Sequence, residues 1–141
     1  NSNILDLFSG IGSFGLECLS RGAASVTFLE SYKEVLIVLK KNIDNLKQQN
    51  YSNIIEKDIF AEKTLKLLNN KFEIIFMDPP YKEKKLAVLL NTIIQLKLLK
   101  DNGIIIIHRH KKEEDIFPNK FNIILKKNYG ISKIIFGNTL V

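Results

Sequence analysis

The sequence predicts an α/β fold built on an open, mostly parallel sheet with an antiparallel edge. Three observations carry this. Apolar, β-branched strand patterns alternate with segments of helical spacing. A glycine-rich turn follows the first strand pattern directly. The last two strand patterns have no helix between them, as in a hairpin.

The elements follow in order. "NILDLF" (3–8) is a short apolar strand ending in the glycine turn, and "SFGLECLSRG" (13–22) reads as a helix stopped by Gly22. "SVTFLE" (25–30) is β-branched and aromatic, hence a strand. From Tyr32 to Gln49 the apolar positions Val35, Leu39, Ile43 and Leu46 recur at helical spacing. "SNIIEKD" (52–58) is a third strand, "AEKTLKLLNN" (61–70) a short helix and "FEIIFM" (72–77) a fourth strand. Leu86, Leu89, Leu90 and Ile93 mark a helix face, ended by the turn "KDNG" (100–103). "GIIIIHRH" (103–110) is a fifth buried strand, and "FNIILKK" and "ISKIIFG" form the hairpin through "NYG". Right-handed crossovers place helices on both sheet faces, giving three layers. Ligands in such sheets sit outside the carboxyl ends of the strands. That edge holds Ser9–Gly15, Glu30, Asp58 and Asp78–Tyr81.

At 141 residues, 45% apolar and 26% charged, the chain reads as one soluble globular domain, residues 1–141. The single cysteine, Cys18, excludes a disulfide framework and a multi-cysteine metal site, and no metal is expected. A reducing, cytoplasmic setting fits, with no membrane-spanning stretch or signal pattern. The chain begins Asn-Ser-Asn and enters a strand almost at once, so an upstream segment of a longer protein is expected. Net charge is +6 and uneven: residues 1–30 carry −2, residues 97–141 carry +5. The basic C-terminal part suggests a polyanionic partner, against the alternative of solvated surface lysine. Only Arg21 and Arg109 are arginines, so phosphate contacts fall mostly to lysine.

"DLFSGIGSFG" (6–15) holds Gly10-x-Gly12-x-x-Gly15 between a strand and a helix. Such glycines allow a tight turn and close backbone approach to a ligand, beside free N–H groups of a helix start. Glu30 closes the next strand, where it can accept from ribose hydroxyls. The pattern fits NAD, FAD or S-adenosylmethionine, or a turn with no ligand. Asp6, four residues before Gly10, can reach the cationic end of S-adenosylmethionine. The terminal hairpin, where a dinucleotide fold would continue with another crossover, points the same way. Asp58 can take the adenine amino group, with Ile59 beside the ring; the alternative is a cap for the following helix. Phe8, Ser9, Ser31 and Asp78 complete the cofactor-binding candidates at these strand ends.

"DPPY" (78–81) ends the fourth strand. Two prolines stop the ladder and stiffen the turn. Asp78 and the Pro79 carbonyl are acceptors, and Pro80 and Tyr81 continue the turn to a flat aromatic face. Acceptors beside a stacking surface suit the exocyclic NH2 of a planar base. Holding both N–H groups directs a poor nucleophile at a methyl group that carries its own leaving group. The base must leave its stack to arrive there. A turn that merely stops the sheet is the alternative.

With "LDLFSGIGSFGLECLSRGA", "DPPY" and the late "YG", the chain resembles the RsmD family of small-subunit rRNA guanine-N2 methyltransferases over nearly its whole length. "DPPY" alone is shared with DNA adenine-N6 methyltransferases. The resemblance implies the seven-stranded, Rossmann-like fold of S-adenosylmethionine-dependent methyltransferases. It implies methylation of the 2-amino group of a guanine in 16S rRNA, in a partly assembled particle; separately, the protein is expected to be a monomer. Asp6, Gly10, Gly12, Glu30 and Asp58 match cofactor positions, and Asp78–Tyr81 match the catalytic turn. The Arg-Pro-Thr stretch of the family's N-terminal extension does not occur in this sequence. The rival functions are a DNA adenine-N6 methyltransferase, a non-catalytic nucleotide-binding module and an NAD-linked oxidoreductase.

Lys82, Lys84 and Lys85 follow the turn and are candidate RNA contacts, or else the solvated start of a helix. Arg109, Lys111 and Lys112 are candidate phosphate contacts. His108 and His110 share a strand face, and two such ligands without a third argue poorly for a metal. Cys18 reads as a small core residue.

Overall fold

The computed structural model describes residues 1–61, 63–80 and 82–140. A seven-stranded sheet has the order β3-β2-β1-β4-β5-β7-β6. Its strands are β1 (Asn3–Leu7), β2 (Ser25–Leu29), β3 (Ser52–Ile55), β4 (Phe72–Met77), β5 (Leu99–His110), β6 (Phe121–Tyr129) and β7 (Ser132–Thr139). The first five pair in parallel; β7 pairs antiparallel with β5 and β6. This is the expected sheet and hairpin. The helices are α1 (Ser13–Ser20), α2 (Lys33–Asn45) and α3 (Leu86–Gln95).

The sheet has two cores. On one face, Leu16 and Leu19 of α1 and Leu36, Leu39 and Ile43 of α2 cover Ile4, Val26 and Phe28. On the other, Leu86, Leu89, Leu90 and Ile93 of α3 cover Leu5, Leu7, Ile75 and Ile105. Period-2 alternation along each strand assigns those two sets to opposite faces. Gly15 permits the close approach of α1: a Cβ there would lie 2.4 Å from the Phe28 ring.

Four expectations are corrected. The inward stripe of α2 is Leu36, Leu39 and Ile43; Leu46 lies past the helix end and is exposed. Among the described residues of 61–70 no α-helix forms, and a 3-10 turn at Leu65–Leu67 appears instead. There the Asp58 carbonyl takes the Ala61 N–H and the Thr64 hydroxyl, and such local bonds compete with a helix too short to nucleate alone. The third strand stops at Ile55, because β3 has only β2 as a neighbour and the ladder beyond it gives way to the Asp58 turn. "KDNG" is no turn: β5 begins at Leu99, and its pairing shifts from Phe72–Leu99 to Ile74–Ile104 through an irregularity that absorbs the extra residues. The hairpin loop is Gly130–Ile131, Gly130 having φ +58°, with Tyr129 and Ser132 as the closing pair.

Candidate active site

The carboxyl ends of β1, β2, β4 and β5 meet at one edge because the parallel register aligns Leu7 with Leu29 and Met77, and Met77 with Ile107. The glycine turn is tied down there from three sides. The Ser9 backbone and hydroxyl both donate to the Leu29 carbonyl, at 3.0 and 3.2 Å. The Gly10 N–H donates to Glu30 Oε1 at 2.8 Å. The Gly15 N–H donates to Asp6 Oδ2 at 3.2 Å. Gly10 and Gly12 are left-handed, at φ +56° and +91°, and a Cβ on Gly12 would press on Leu39.

Asp6 is buried, and its Oδ1 has no hydrogen-bond partner. Burial pushes its carboxyl up to about 7; Asp78 and Glu30 add to the rise and the Gly15 N–H opposes it. Glu30 spends its acceptors on backbone: Oε1 on Gly10, Oε2 on Ser31 at 2.9 Å and Tyr32 at 3.2 Å. A carboxylate has about four acceptor positions, so about one remains for a ligand hydroxyl. Ser9 is a latch between loop and β2, its hydroxyl committed to Leu29.

Two clefts open at this edge. The first, about 200 Å³, is lined by Phe8, Glu30, Ser31, Asp58, Ile59 and Phe60 among others, so five expected cofactor residues converge. Asp58 does not cap a helix; its Oδ1 accepts the Phe60 N–H at 3.0 Å in a tight turn. The second cleft, about 420 Å³, is lined by Asp78, Pro79, His108, His110 and Ser132 among others. Phe8 and Pro80 line both. Phe8 is a non-glycine residue in the left-handed region, at φ +58°, and its ring tilts against Phe60 at 5.8 Å. Such a conformation is strained, and here it stands between two clefts.

The Asp-Pro-Pro turn is held by two neighbours on β5. His108 Nδ1 lies 2.8 Å from Asp78 Oδ1. Arg109 is 1% exposed, gives Nε and Nη2 to the Asp115 carboxylate at 2.9 Å each, and reaches the carbonyls of Pro80 (3.0 Å) and Glu83 (3.2 Å). The expectation that Arg109 contacts RNA phosphate is therefore corrected: its guanidinium is buried and braces the turn. Arg109 and the Glu83 N–H both take the Pro80 carbonyl, and neither takes that of Pro79. Tyr81 lies outside the described residues.

Lys82, Lys84, Lys111 and Lys112 are exposed near the clefts. Lys85 is exposed too, and its ammonium sits 5.4 Å over the Phe60 ring, on the side of the first cleft. Cys18 is half-buried, and burial pushes its thiol up to about 11, away from thiolate chemistry. Among the described residues, no group of three or more His, Cys, Asp or Glu could hold a metal ion, and no helix is long and apolar enough to cross a membrane.

Sequence reasoning missed His108, Phe60 and the Arg109–Asp115 pair. The apolar runs up to Met77 and Ile107, each followed by a polar residue, carried a signal for the first, since a parallel register that pairs Met77 with Ile107 brings Asp78 and His108 side by side.

The family model described as "Conserved hypothetical protein 95" matches residues 1–138. A Buchnera aphidicola protein named "Ribosomal RNA small subunit methyltransferase D" is 37% identical over 131 residues, which cover 90% of this chain and 65% of the relative. A protein of the same name from Haemophilus influenzae is 32% identical over 135 residues, 92% of this chain and 68% of the relative. A solved Haemophilus influenzae structure superposes with a TM-score of 0.85 at 32% identity, covering 100% of this chain and 88% of that one. The chain thus spans about two thirds of the length of these curated relatives. With its glycine turn, its Asp-Pro-Pro turn and its sheet order all in place, the chain belongs to the "Conserved hypothetical protein 95" family, that of RsmD.

Proposed function

We propose that the protein transfers a methyl group from S-adenosylmethionine to the exocyclic 2-amino group of a guanine in small-subunit (16S) rRNA, acting as a monomer on a partly assembled particle. The observation that carries this reading is the pair of clefts sharing Phe8 and Pro80, with Asp78 and Pro79 on the far side.

The residues present fit the cofactor. The unpartnered Asp6 Oδ1 is a buried acceptor suited to a cation. Glu30 and Asp58 offer acceptors for hydroxyl and amino groups, and Ile59 and Phe60 an apolar flank. The Gly15 N–H, a helix-start donor that a pyrophosphate would use, is already taken by Asp6, which disfavours NAD. When bound, S-adenosylmethionine supplies an electrophilic methyl group on a sulfonium.

The protein's task at the acceptor is orientation. An aryl amine shares its lone pair with its ring and attacks weakly. Asp78 and the Pro79 carbonyl accept its two N–H bonds, and the carboxylate favours the positive charge that grows on nitrogen. His108 holds one oxygen of Asp78, leaving Oδ2 for the amine. Arg109 fixes the turn from behind.

The complete protein with labelled S-adenosylmethionine should label 16S rRNA from a strain lacking the enzyme, at guanine N2, and leave DNA unlabelled. Labelled DNA and unlabelled rRNA would establish the adenine-N6 rival. Calorimetry showing NAD binding without S-adenosylmethionine binding would overturn the cofactor assignment.

A further inference from the structure

The β6–β7 hairpin, Phe121–Thr139, carries three lysines and no acid. Its register extends the acceptor cleft outward. Residues directly opposite in an antiparallel ladder share a sheet face. His110 pairs with Ser132, and Ser132 with Tyr129; His108 pairs with Ile134, and Ile134 with Lys127. Tyr129 and Lys127 therefore lie on the face of the two cleft histidines, two strands away, or about 10 Å at the usual strand spacing. Tyr129 is 59% exposed and Ile131 at the tip 67%. Lys111 and Lys112, directly after His110, are exposed beside them. The tip is pinned: the Lys111 N–H donates to the Ile131 carbonyl at 2.7 Å, and Lys133 Nζ to the Glu113 carbonyl.

An exposed aromatic ring on a rigid basic hairpin that itself carries no acid is the chemistry that holds single-stranded nucleic acid: stacking for a base, point charges for its phosphates. A base drawn into the cleft leaves its neighbour unstacked beside that ridge. We propose that the hairpin tip docks the RNA strand flanking the target base, with Tyr129 stacking the adjoining base and Lys111, Lys112 and Lys127 contacting its backbone. This rests on the RNA reading above.

The test uses the complete protein and a fluorescein-labelled single-stranded 16S RNA fragment containing the methylated site, followed by anisotropy over a salt series. Tyr129→Ala should weaken binding about 10-fold and Tyr129→Trp should retain it. Lys127→Gln should lower the log–log salt slope by about 0.7, as should Lys111→Gln. S-adenosylmethionine affinity and thermal midpoint should not change. Wild-type binding with all variants unaltered overturns the hairpin assignment and leaves the functional reading standing. So does loss of self-association in sedimentation without loss of RNA affinity, which would make the ridge a contact between copies. Absence of RNA binding by the wild type overturns both.

Discussion

His108 Nδ1 and Asp78 Oδ1 lie 2.8 Å apart, one residue past the last register pair of two adjacent parallel strands. The contact restrains the carboxylate proposed to hold the acceptor amine. His108→Ala should lower kcat about 10-fold, near the lower end for a hydrogen bond to a charged group because both side chains are partly exposed. His108→Asn should recover part of it. Asp78→Ala should abolish transfer. Calorimetry should find S-adenosylmethionine affinity nearly unchanged in all three. Full transfer activity in Asp78→Ala would refute the role given to this carboxylate.

Arg109 and Asp115 form a buried two-bond pair. Removing one partner strands the other charge, at a cost of about 3 kcal/mol or more. Arg109→Ala should therefore lower the thermal midpoint by about 10 °C. Asp115→Asn keeps the shape and should cost less. An unchanged midpoint in Arg109→Ala would refute the brace.

Gly15→Ala tests the seat of α1. The new methyl would meet the Phe28 ring at 2.4 Å and Val26 at 2.8 Å, with buried neighbours that have little room to move. Overpacking of this kind costs about 1–3 kcal/mol. Chemical denaturation should show the loss, and cofactor affinity should fall with it, because Gly15 also donates to Asp6.

Asp6 gives a signed pH dependence. Its carboxyl is raised to about 7 in the fold from an ordinary 3.8. Its contribution to stability is full below pH 3.8 and is lost as pH rises through about 7. Asp6→Asn should thus stabilise the ligand-free protein at pH 8, by about 2–4 kcal/mol, and far less at pH 4. A cationic ligand reverses the preference. S-adenosylmethionine should bind more tightly as pH rises from 6 to 8, and should release close to one proton per molecule at pH 6. Calorimetry in buffers of different ionisation enthalpy measures that proton; none released would argue against Asp6 facing the cation.

Much of the fold was legible in residue patterns. "FEIIFM" and "GIIIIHRH" are apolar enough to be strands buried on both faces, and Gly130 between two β-branched runs marks a hairpin. The failures have local causes. Residues 61–70 have helical composition, but Asp58 and Thr64 draw the backbone into turns. The start of β5 was hidden because Lys100–Gly103 has turn chemistry yet stays in the sheet as an irregularity, with Gly103 packed on Leu99.

The sequence by itself determined the order of strands and helices, the glycine turn and the proline-stopped strand. These depend on periodicity and on the backbone limits of glycine and proline, which act over a few residues. Tertiary structure decided what each charged group does. Arg109 and Lys111 stand two positions apart in one basic run, yet one is buried against Asp115 and the other is exposed. The difference is burial, set by Asp115 six residues on and by the Pro80 and Glu83 carbonyls, which are distant along the chain. A guanidinium enclosed by a carboxylate and two carbonyls is a brace for the turn, whereas a solvated ammonium remains available to a polyanion.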